Sequence, residues 1–175
     1  MKVIRLLPVG KVDIRLLDSL MQPLSGSFSA RVEIADSHLD PEFAFNAQRQ
    51  QYHSTEILAR MHSLHSPSAW RFLGVASVDL FIPILTFVFG EAQLNNPCGL
   101  ISSYRLRQEY YGLPQDDGLI EERLIKEGLH ELGHTVGLVH CSDYSCVMSS
   151  AHAVEYIDLK GRSFCVACRS RAGLK

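Results

Sequence analysis

Hydrophobic and polar residues follow two different spacings in the first part of the chain, and these predict strands and helices in turn. Val3–Val9 predicts a buried strand because it is largely apolar and is followed by a glycine. Apolar residues at helical spacing predict a helix over Val12–Met21, which ends before Pro23, and a long amphipathic helix over Asn46–His65. Between them, apolar residues at alternate positions of Phe28–Ala35 predict a second strand.

The second part of the chain carries three strand patterns followed by a helix. Phe72–Ile82, Thr86–Leu94 and Leu100–Leu106 are apolar, β-rich runs, and a turn-forming segment precedes the last of them. Gly118–Leu138 predicts a long helix whose positive end is capped by the pair Asp116–Asp117. Its predicted buried stripe consists of Leu124, Ile125, Leu129, Leu132 and Val136. This order of elements indicates an α+β domain, a mixed sheet with helices packed on it.

Composition and charge narrow the class of protein. The 175 residues fit one domain, and 46% hydrophobic residues, 21% charged residues and a net charge of −2 are typical of a globular chain with no nucleic-acid or membrane partner. The longest apolar stretch, Val75–Phe89, is interrupted by Asp79 and Pro83, so it does not predict a membrane span. Met1–Gly10 lacks the pattern of a secretory signal. We therefore expect a monomer in the cytoplasm.

The run from His130 to His140 holds three histidines at a spacing that suits a metal ion. His130 and His134 are four residues apart, so both rings lie on one helical face with Cβ atoms about 5 to 6 Å apart. Imidazole nitrogens bind zinc at about 2.0 to 2.1 Å, so the two side chains can share one ion. Gly137 can take the left-handed conformation that ends a helix, which turns the chain and returns His140 as a third ligand. Three histidines leave the fourth zinc position open, as catalysis requires.

Glu131 adjoins the first predicted ligand and suits the role of general base. Zinc lowers the pKa of bound water from about 15.7 to about 7. A carboxylate within hydrogen-bond reach can take the proton of that water as it attacks a carbonyl group. The sequence therefore predicts a zinc-dependent hydrolase with Glu131 as its general base.

The histidine run is also compatible with interpretations other than a peptidase site. A bare His-Glu-x-x-His pattern also arises by chance on charged helices, and the added Gly137 and His140 favour the zinc interpretation. One alternative is a non-catalytic zinc protein that binds peptides or partners in the same cleft. Glu131 and the open zinc position weigh against it, because a binding protein needs neither. Hydrolysis of an amide other than a peptide bond uses the same chemistry and stays open.

Four of the five cysteines follow position 140 and form two pairs. Cys141 and Cys146 are one pair, and Cys165 and Cys168 are the other. Two such pairs separated by a loop predict a closed structural zinc site, with Zn–S distances of about 2.3 Å. Two disulfides or a redox pair are the competing interpretations, and a reducing cytosol disfavours the disulfides. The fifth cysteine, Cys98, is expected to be a small buried residue.

The order of these residues resembles the archaemetzincins, a subgroup of the metzincin metallopeptidases. The resemblance is carried by His-Glu-x-x-His-x-x-Gly-x-x-His-Cys, then four residues, Cys-x-Met and a later Cys-x-x-Cys, within His130–Cys168. Arg49–Tyr52 and Phe89–Ala92 are also similar to that family. Between Met148 and Cys165 the chain has sixteen residues, one fewer than the family pattern.

The resemblance implies a metzincin-like zincin fold in one catalytic domain over residues 1–175. Its upper part, 1–137, would hold a twisted mixed sheet and the active-site helix, and its lower part, 138–175, the cysteine zinc. Met148 would form an apolar floor under the catalytic zinc without binding it. The implied cofactors are two zinc ions per chain, one catalytic and one structural.

The resemblance also implies a peptide or protein substrate held in an extended form. An exposed strand edge can pair with such a peptide through main-chain hydrogen bonds. The segment just before the active-site helix is the expected edge strand and upper rim of the cleft. The expected substrate-binding residues are Leu100, Ile101, Ser102, Ser103 and Tyr104.

Overall fold

The computed structural model describes residues 1–174 as a mixed α/β structure with two sheets and five α-helices. The strands are β1 (Val3–Val9), β2 (Arg31–Ile34), β3 (Phe45–Asn46), β4 (Gln51–His53), β5 (Arg71–Ala76), β6 (Leu80–Phe81), β7 (Gly90–Ala92) and β8 (Cys98–Ser102). The helices are α1 (Ile14–Phe28), α2 (Ser54–Leu64), α3 (Asp117–Thr135), α4 (Val154–Leu159) and α5 (Val166–Ala172).

The main sheet has five strands in the order β2-β1-β5-β8-β7. The first four of these strands pair in parallel, and β7 alone pairs antiparallel, with β8. A smaller sheet has the order β3-β4-β6. The mixed sheet predicted from the sequence is confirmed, and β7 is one of its two edges.

Helices cover both faces of the main sheet, which explains why its central strands are mostly apolar. On one face, Leu6 and Leu73 join a core with α1 and α3. On the other face, Leu7 and Leu100 pack in a second core with Met61 of α2. The active-site helix α3 therefore rests directly on the sheet, against β8 and β7.

Helix α1 is longer than the sequence predicts. It continues through Pro23 to Phe28, so the prediction that it ends at Met21 is wrong, and the strand predicted over Phe28–Ala35 is shortened to β2. A proline inside a helix costs about 3 kcal/mol. Leu24 and Phe28 are almost fully buried, and burying each such side chain stabilises by about 1.5 to 3 kcal/mol, which offsets that cost.

Four further predicted elements differ in length from the structure. Only the second half of Asn46–His65 is helical, as α2, because the first half forms β3, a turn and β4. Thr86–Leu94 contributes only β7, and Phe72–Ile82 divides into β5 and β6. Leu100–Leu106 contributes to β8 and then turns into a short 3-10 helix. In the three predicted strands, the apolar run continues past the observed strand because loop residues also pack on the core.

Helix α3 begins where the sequence predicts, and Leu124, Ile125, Leu129 and Leu132 are buried as expected. It ends at Thr135, so the predicted end at Leu138 is wrong, and Val136 lies just past the helix and is only partly buried. The helix begins after Asp116, whose Oδ1 accepts a hydrogen bond from the Leu119 backbone N–H at 2.9 Å. Asp117 is the first helical residue, where an acidic side chain favours the positive end. After α3 the chain forms turns and the short helices α4 and α5. No helix among residues 1–174 is long and apolar enough to cross a membrane.

Candidate metal centre and active site

Helix α3 brings the first two histidines together. His130 is buried and His134 is partly buried, and their Nε2 atoms lie 3.1 Å apart. The Nδ1 of His130 donates to the Val147 carbonyl at 2.9 Å, and the Nδ1 of His134 donates to the Leu138 carbonyl at 2.7 Å. Carbonyl oxygens only accept hydrogen bonds, so each proton belongs on Nδ1 and each Nε2 lone pair is free.

The third histidine returns through the turn at the end of α3. Gly137 has a φ of +92°, and its backbone N–H donates to the His134 carbonyl at 3.0 Å. This positive φ suits glycine, and it ends the helix as the sequence predicts. His140 then lies with its ring centroid 5.2 Å from that of His130 and 5.1 Å from that of His134.

The three imidazoles fit a zinc ion. One ligand nitrogen from each lies within 4.8 Å of the others. Two nitrogens bound tetrahedrally at 2.0 to 2.1 Å are about 3.4 Å apart, close to the observed separation of the first two Nε2 atoms. Burial lowers the pKa of His130 well below its usual value and also lowers the pKa of His134 and His140. Low pKa values keep the rings neutral, which is the form that binds a metal.

Glu131 lies beside these ligands with its carboxylate in the same cleft. The residue is buried, and burial raises its pKa well above the usual value, with the nearby Glu127 acting in the same direction. Among residues 1–174, no protein group donates a hydrogen bond to its carboxylate oxygens, although the side chain lines the cleft. A carboxylate without a protein partner is available to a water molecule or a substrate.

Met148 packs against α3. It is fully buried and its sulfur lies against Gly133, the residue just before His134. The Met148 carbonyl accepts a hydrogen bond from the Cys141 backbone N–H at 3.0 Å, which ties this turn to the residue after His140. The role of Met148 as an apolar floor under the catalytic zinc stays a prediction.

Four cysteines form a second cluster, namely Cys141, Cys146, Cys165 and Cys168. None of the five cysteines of the chain forms a disulfide. The four sulfurs of the cluster lie within 4.8 Å of one another, and Cys141 Sγ is 3.8 Å from Cys165 Sγ. Two sulfurs bound tetrahedrally at 2.3 Å from one zinc are about 3.8 Å apart, so the cluster fits that ion. Cys146 Sγ also accepts backbone N–H bonds from Cys165 at 3.3 Å and from Met148 at 3.5 Å, as a thiolate ligand would.

The predicted edge strand is wrong in its identity. Leu100 and Ile101 belong to β8, which lies between β5 and β7 and is fully buried. Ser102 and Ser103 are also buried, and only Tyr104 is exposed. The edge beside the cleft is β7, where an alanine Cβ at Gly90 would lie 2.8 Å from Glu131 Cγ. Chain order alone cannot reveal that β7 folds back outside β8.

A buried ion pair beside the histidines was missed by the sequence analysis. Lys160 Nζ lies 3.0 Å from Glu127 Oε1 and donates to the Ser149 carbonyl at 3.3 Å. Both charged residues are buried and line the same cleft as His130. The position of Glu127, one turn before His130, was a detectable signal, but Lys160 is thirty-three residues away in sequence from its partner.

The cleft that joins these groups has a volume of about 500 Å³. Its polar lining comes from the histidines, Glu131 and the buried ion pair. Its apolar lining comes from the segment between β6 and β7 and from the chain after Met148. A cleft of this size with a few convergent polar groups is typical of an enzyme site.

Comparison with known proteins places the chain in a family. The model of peptidase family M54 matches residues 12–172. An archaemetzincin from Methanocaldococcus jannaschii is 38% identical over 161 residues, which cover 92% of this chain and 87% of that protein. The crystal structure of an archaemetzincin from Archaeoglobus fulgidus, in complex with malonate, is 36% identical with a TM-score of 0.83, covering 97% of this chain and 99% of that one.

A third comparison agrees with these two. The crystal structure of a zinc-dependent peptidase from Methanocorpusculum labreanum has a TM-score of 0.87 at 28% identity, and the match covers 97% of this chain and 99% of that one. The likeness extends over almost the whole chain, so it includes both the sheet and the cysteine-rich end. The chain belongs to peptidase family M54, the family of the archaemetzincins, and is a zinc-dependent metallopeptidase.

Proposed function

We propose that His130, His134 and His140 hold a catalytic zinc and that Glu131 is the general base of peptide-bond hydrolysis. The observation that carries this proposal is the convergence of three neutral imidazoles and one unpartnered carboxylate in a single cleft. Zinc bound there supplies Lewis acidity, which polarises a carbonyl group and acidifies water. Three protein ligands leave room for this chemistry.

The protein's own groups have distinct tasks in this reaction. The Val147 and Leu138 carbonyls hold the imidazoles of His130 and His134 with Nε2 directed into the site. A Glu131 carboxylate oxygen takes the proton of the water that attacks the scissile carbonyl carbon. The same oxygen then returns that proton to the leaving nitrogen. Because no group among residues 1–174 donates a hydrogen bond to the Glu131 carboxylate, no such bond lowers its proton affinity.

We propose that the substrate is an extended peptide that pairs with the free edge of β7. This strand lies at the rim of the cleft, and its Gly90 lies against Glu131. Main-chain pairing there would place a peptide bond beside the base without requiring a particular sequence. The assignment replaces the buried strand β8 as the substrate-binding edge.

We also propose that Cys141, Cys146, Cys165 and Cys168 hold a structural zinc, which makes two zinc ions per chain. Four sulfur ligands leave no open position, so this ion would take no part in the reaction. It would organise residues 138–175 as a lower subdomain beneath residues 1–137. Reduced, metal-binding cysteines suit a monomer in the cytoplasm, where disulfides are rare.

The experiment is a comparison of the purified zinc-loaded protein with Glu131→Gln on a mixture of synthetic peptides, read by mass spectrometry. We expect cleavage by the wild type and a rate at least about a hundredfold lower for the variant, since general bases contribute roughly 10² to 10⁴ in rate. Zinc analysis should give two ions per chain for both proteins. Zinc-loaded wild-type protein that cleaves no peptide would overturn the proposal and favour the non-catalytic alternative.

A further inference from the structure

The segment between β6 and β7 presents aliphatic side chains to solvent at one end of the catalytic cleft. We call residues 82–88 the rim loop. Ile84 is 86% exposed and Leu85 is 49% exposed, although both are large and apolar. Leu85 lines the same cavity as His130 and Glu131, so the exposed patch is continuous with the proposed active site.

The rim loop begins with a tight turn. Pro83 occupies the second position of a turn closed by a hydrogen bond from the Leu85 backbone N–H to the Ile82 carbonyl at 3.0 Å. Proline at this position presets the backbone angle that the turn requires. The far end of the loop is held by the Val88 N–H, which donates to the Leu80 carbonyl at 2.9 Å.

An arginine from another part of the chain fixes the backbone of the exposed residues. Arg49 Nη2 donates to the Leu85 carbonyl at 2.6 Å and to the Thr86 carbonyl at 3.1 Å. The same guanidinium stacks over the Phe81 ring, with its carbon 4.2 Å from the ring centroid. Gln51 Nε2 also donates to the Thr86 carbonyl, at 3.0 Å.

A second arginine contacts the loop at Phe87. The Arg105 guanidinium lies over the Phe87 ring, 4.2 Å from its centroid. Asp79 holds that guanidinium with two hydrogen bonds, of 2.6 and 2.7 Å. The loop that carries the exposed Ile84 and Leu85 is therefore held by two arginines, and less ordering entropy is lost when a ligand binds a surface of this kind.

The chemistry of the rim loop selects the kind of ligand. From Leu80 to Gly90 the chain has no charged residue, and eight of its eleven residues have aliphatic or aromatic side chains, the exceptions being a proline, a threonine and a glycine. The carbonyls of Leu85 and Thr86 are already occupied by Arg49. The exposed side chains of the loop therefore offer a ligand apolar area and no charge.

We propose that the rim loop is a docking surface for an aliphatic side chain of the peptide substrate. A peptide paired with β7 and continued beyond the N-terminal end of that strand would reach Leu85 and then Ile84. The inference rests on the proposed function, because it takes the occupant to be the substrate of the same cleft. Main-chain pairing with β7 does not depend on the sequence of the peptide. The rim loop would add a preference for an aliphatic residue at one position.

The test uses a mixed library of synthetic decapeptides and zinc-loaded, immobilised Glu131→Gln, which retains the cleft and does not consume the peptides. Bound peptides are quantified by mass spectrometry. Peptides with Leu or Ile at one position should be enriched over those with Ser at that position. Adding Ile84→Asn and Leu85→Asn should reduce this enrichment by about fivefold or more, because the apolar contact area is lost.

The matched control is Leu64→Asn in the same Glu131→Gln background. Leu64 is 52% exposed, close to the value for Leu85, and lies at the end of α2, outside the cleft. Its enrichment profile should equal that of Glu131→Gln alone, and all the variants should keep the same zinc content and melting temperature.

The inference is overturned if the variant with Ile84→Asn and Leu85→Asn keeps the aliphatic preference. It is equally overturned if Glu131→Gln alone shows no such preference. It is also overturned if the wild type self-associates through this patch, which light scattering would reveal as a dimer that Ile84→Asn abolishes. Cleavage by the wild type decides the proposed function separately. An active enzyme with no aliphatic preference would therefore refute the docking surface alone.

Discussion

At the residue scale, two glycines of the sheet face Glu131, but they differ in how much space lies between them and its side chain. An alanine Cβ at Gly90 would lie 2.8 Å from Glu131 Cγ, 2.9 Å from its Oε1 and 2.7 Å from the Leu100 carbonyl oxygen. At Gly99 on the neighbouring strand, the nearest contact of such a Cβ is the Cβ of Glu131 at 3.5 Å, an ordinary van der Waals distance. Only the first glycine is therefore required for the position of the carboxylate.

We expect Gly90→Ala to lower kcat by about tenfold to a hundredfold, since displacing a reacting group by about 1 Å has an effect of that size. Zinc content should not change, because the three atoms nearest the new methyl group belong to Leu100 and Glu131 and not to a histidine. Steady-state kinetics on a cleaved peptide, together with zinc analysis, provide the measurement. Gly99→Ala is the control and should retain near-normal kcat. Equal losses of kcat in the two variants would show that any added methyl group on the sheet impairs activity, and that the space beside Glu131 is not the cause.

Cys98 differs from the other four cysteines in its surroundings. It is fully buried on β8, as the sequence predicts, and burial raises the pKa of its thiol to about 12. Thiolates, not thiols, react with alkylating agents, and at pH 8 this group stays protonated because that pH lies well below its pKa.

We expect iodoacetamide at pH 8 to leave Cys98 unmodified in the folded protein, both with and without a zinc chelator. The clustered cysteines should become reactive once the chelator removes their metal. Peptide mapping by mass spectrometry distinguishes the sites, and a urea-unfolded sample in which all five cysteines react is the control. Rapid modification of Cys98 in the folded, zinc-loaded protein would contradict its burial.

At the element scale, the buried ion pair joins α3 to the chain after α4. Lys160 and Glu127 are both nearly inaccessible to solvent, so neither charge is compensated by water. Removing one partner of a buried pair leaves the other charge without compensation, which costs about 3 to 5 kcal/mol. By contrast, Arg162 and Glu122 form a pair of similar length, 2.9 Å, on the surface.

We expect Lys160→Met to lower the free energy of unfolding by about 3 to 5 kcal/mol in urea titrations of the zinc-loaded protein. Arg162→Met, the surface control, should cost less than about 1 kcal/mol. In the double variant Lys160→Met/Glu127→Leu much of the loss should be recovered, because no unpaired charge stays buried. Similar costs for the two single variants would show that burial does not govern the strength of this pair.

At the scale of the whole molecule, the two proposed metal sites share their supporting backbone. Cys141 follows His140 directly and donates its N–H to the Met148 carbonyl. Val147, next to Cys146, supplies the carbonyl that orients His130. The cysteine site therefore holds the two chain segments that position His130 and His140. The connection runs through the backbone next to Cys141 and Cys146 and not through the cysteine side chains.

We expect Cys165→Ser to reduce zinc content from two ions per chain to one or fewer, to lower the melting temperature and to weaken retention of the remaining zinc against a chelator. The readouts are elemental analysis, calorimetry and the rate of zinc release to a chromogenic chelator. Cys98→Ser is the control, since Cys98 is on the sheet and not in the cluster. Two tightly held zinc ions and full activity in Cys165→Ser would rule out this coupling.

The parts of the site that depend on short spacing can be predicted from the sequence. The interval between His130 and His134, the glycine that ends the helix and the paired cysteines constrain geometry within a few residues, where helical periodicity and turn chemistry are sufficient. The amphipathic face of α3 and its capping residue Asp116 were predictable for the same reason.

The tertiary structure is needed to explain the parts of the site that depend on strand order and on burial. It placed β7 outside β8 as the edge of the cleft, brought Lys160 to Glu127 and tied Arg49 to the rim loop. It also carried α1 through Pro23, because burial of Leu24 and Phe28 outweighs the local cost of proline. These features arise from contacts between residues far apart in sequence, and spacing along the chain does not encode which distant segments meet.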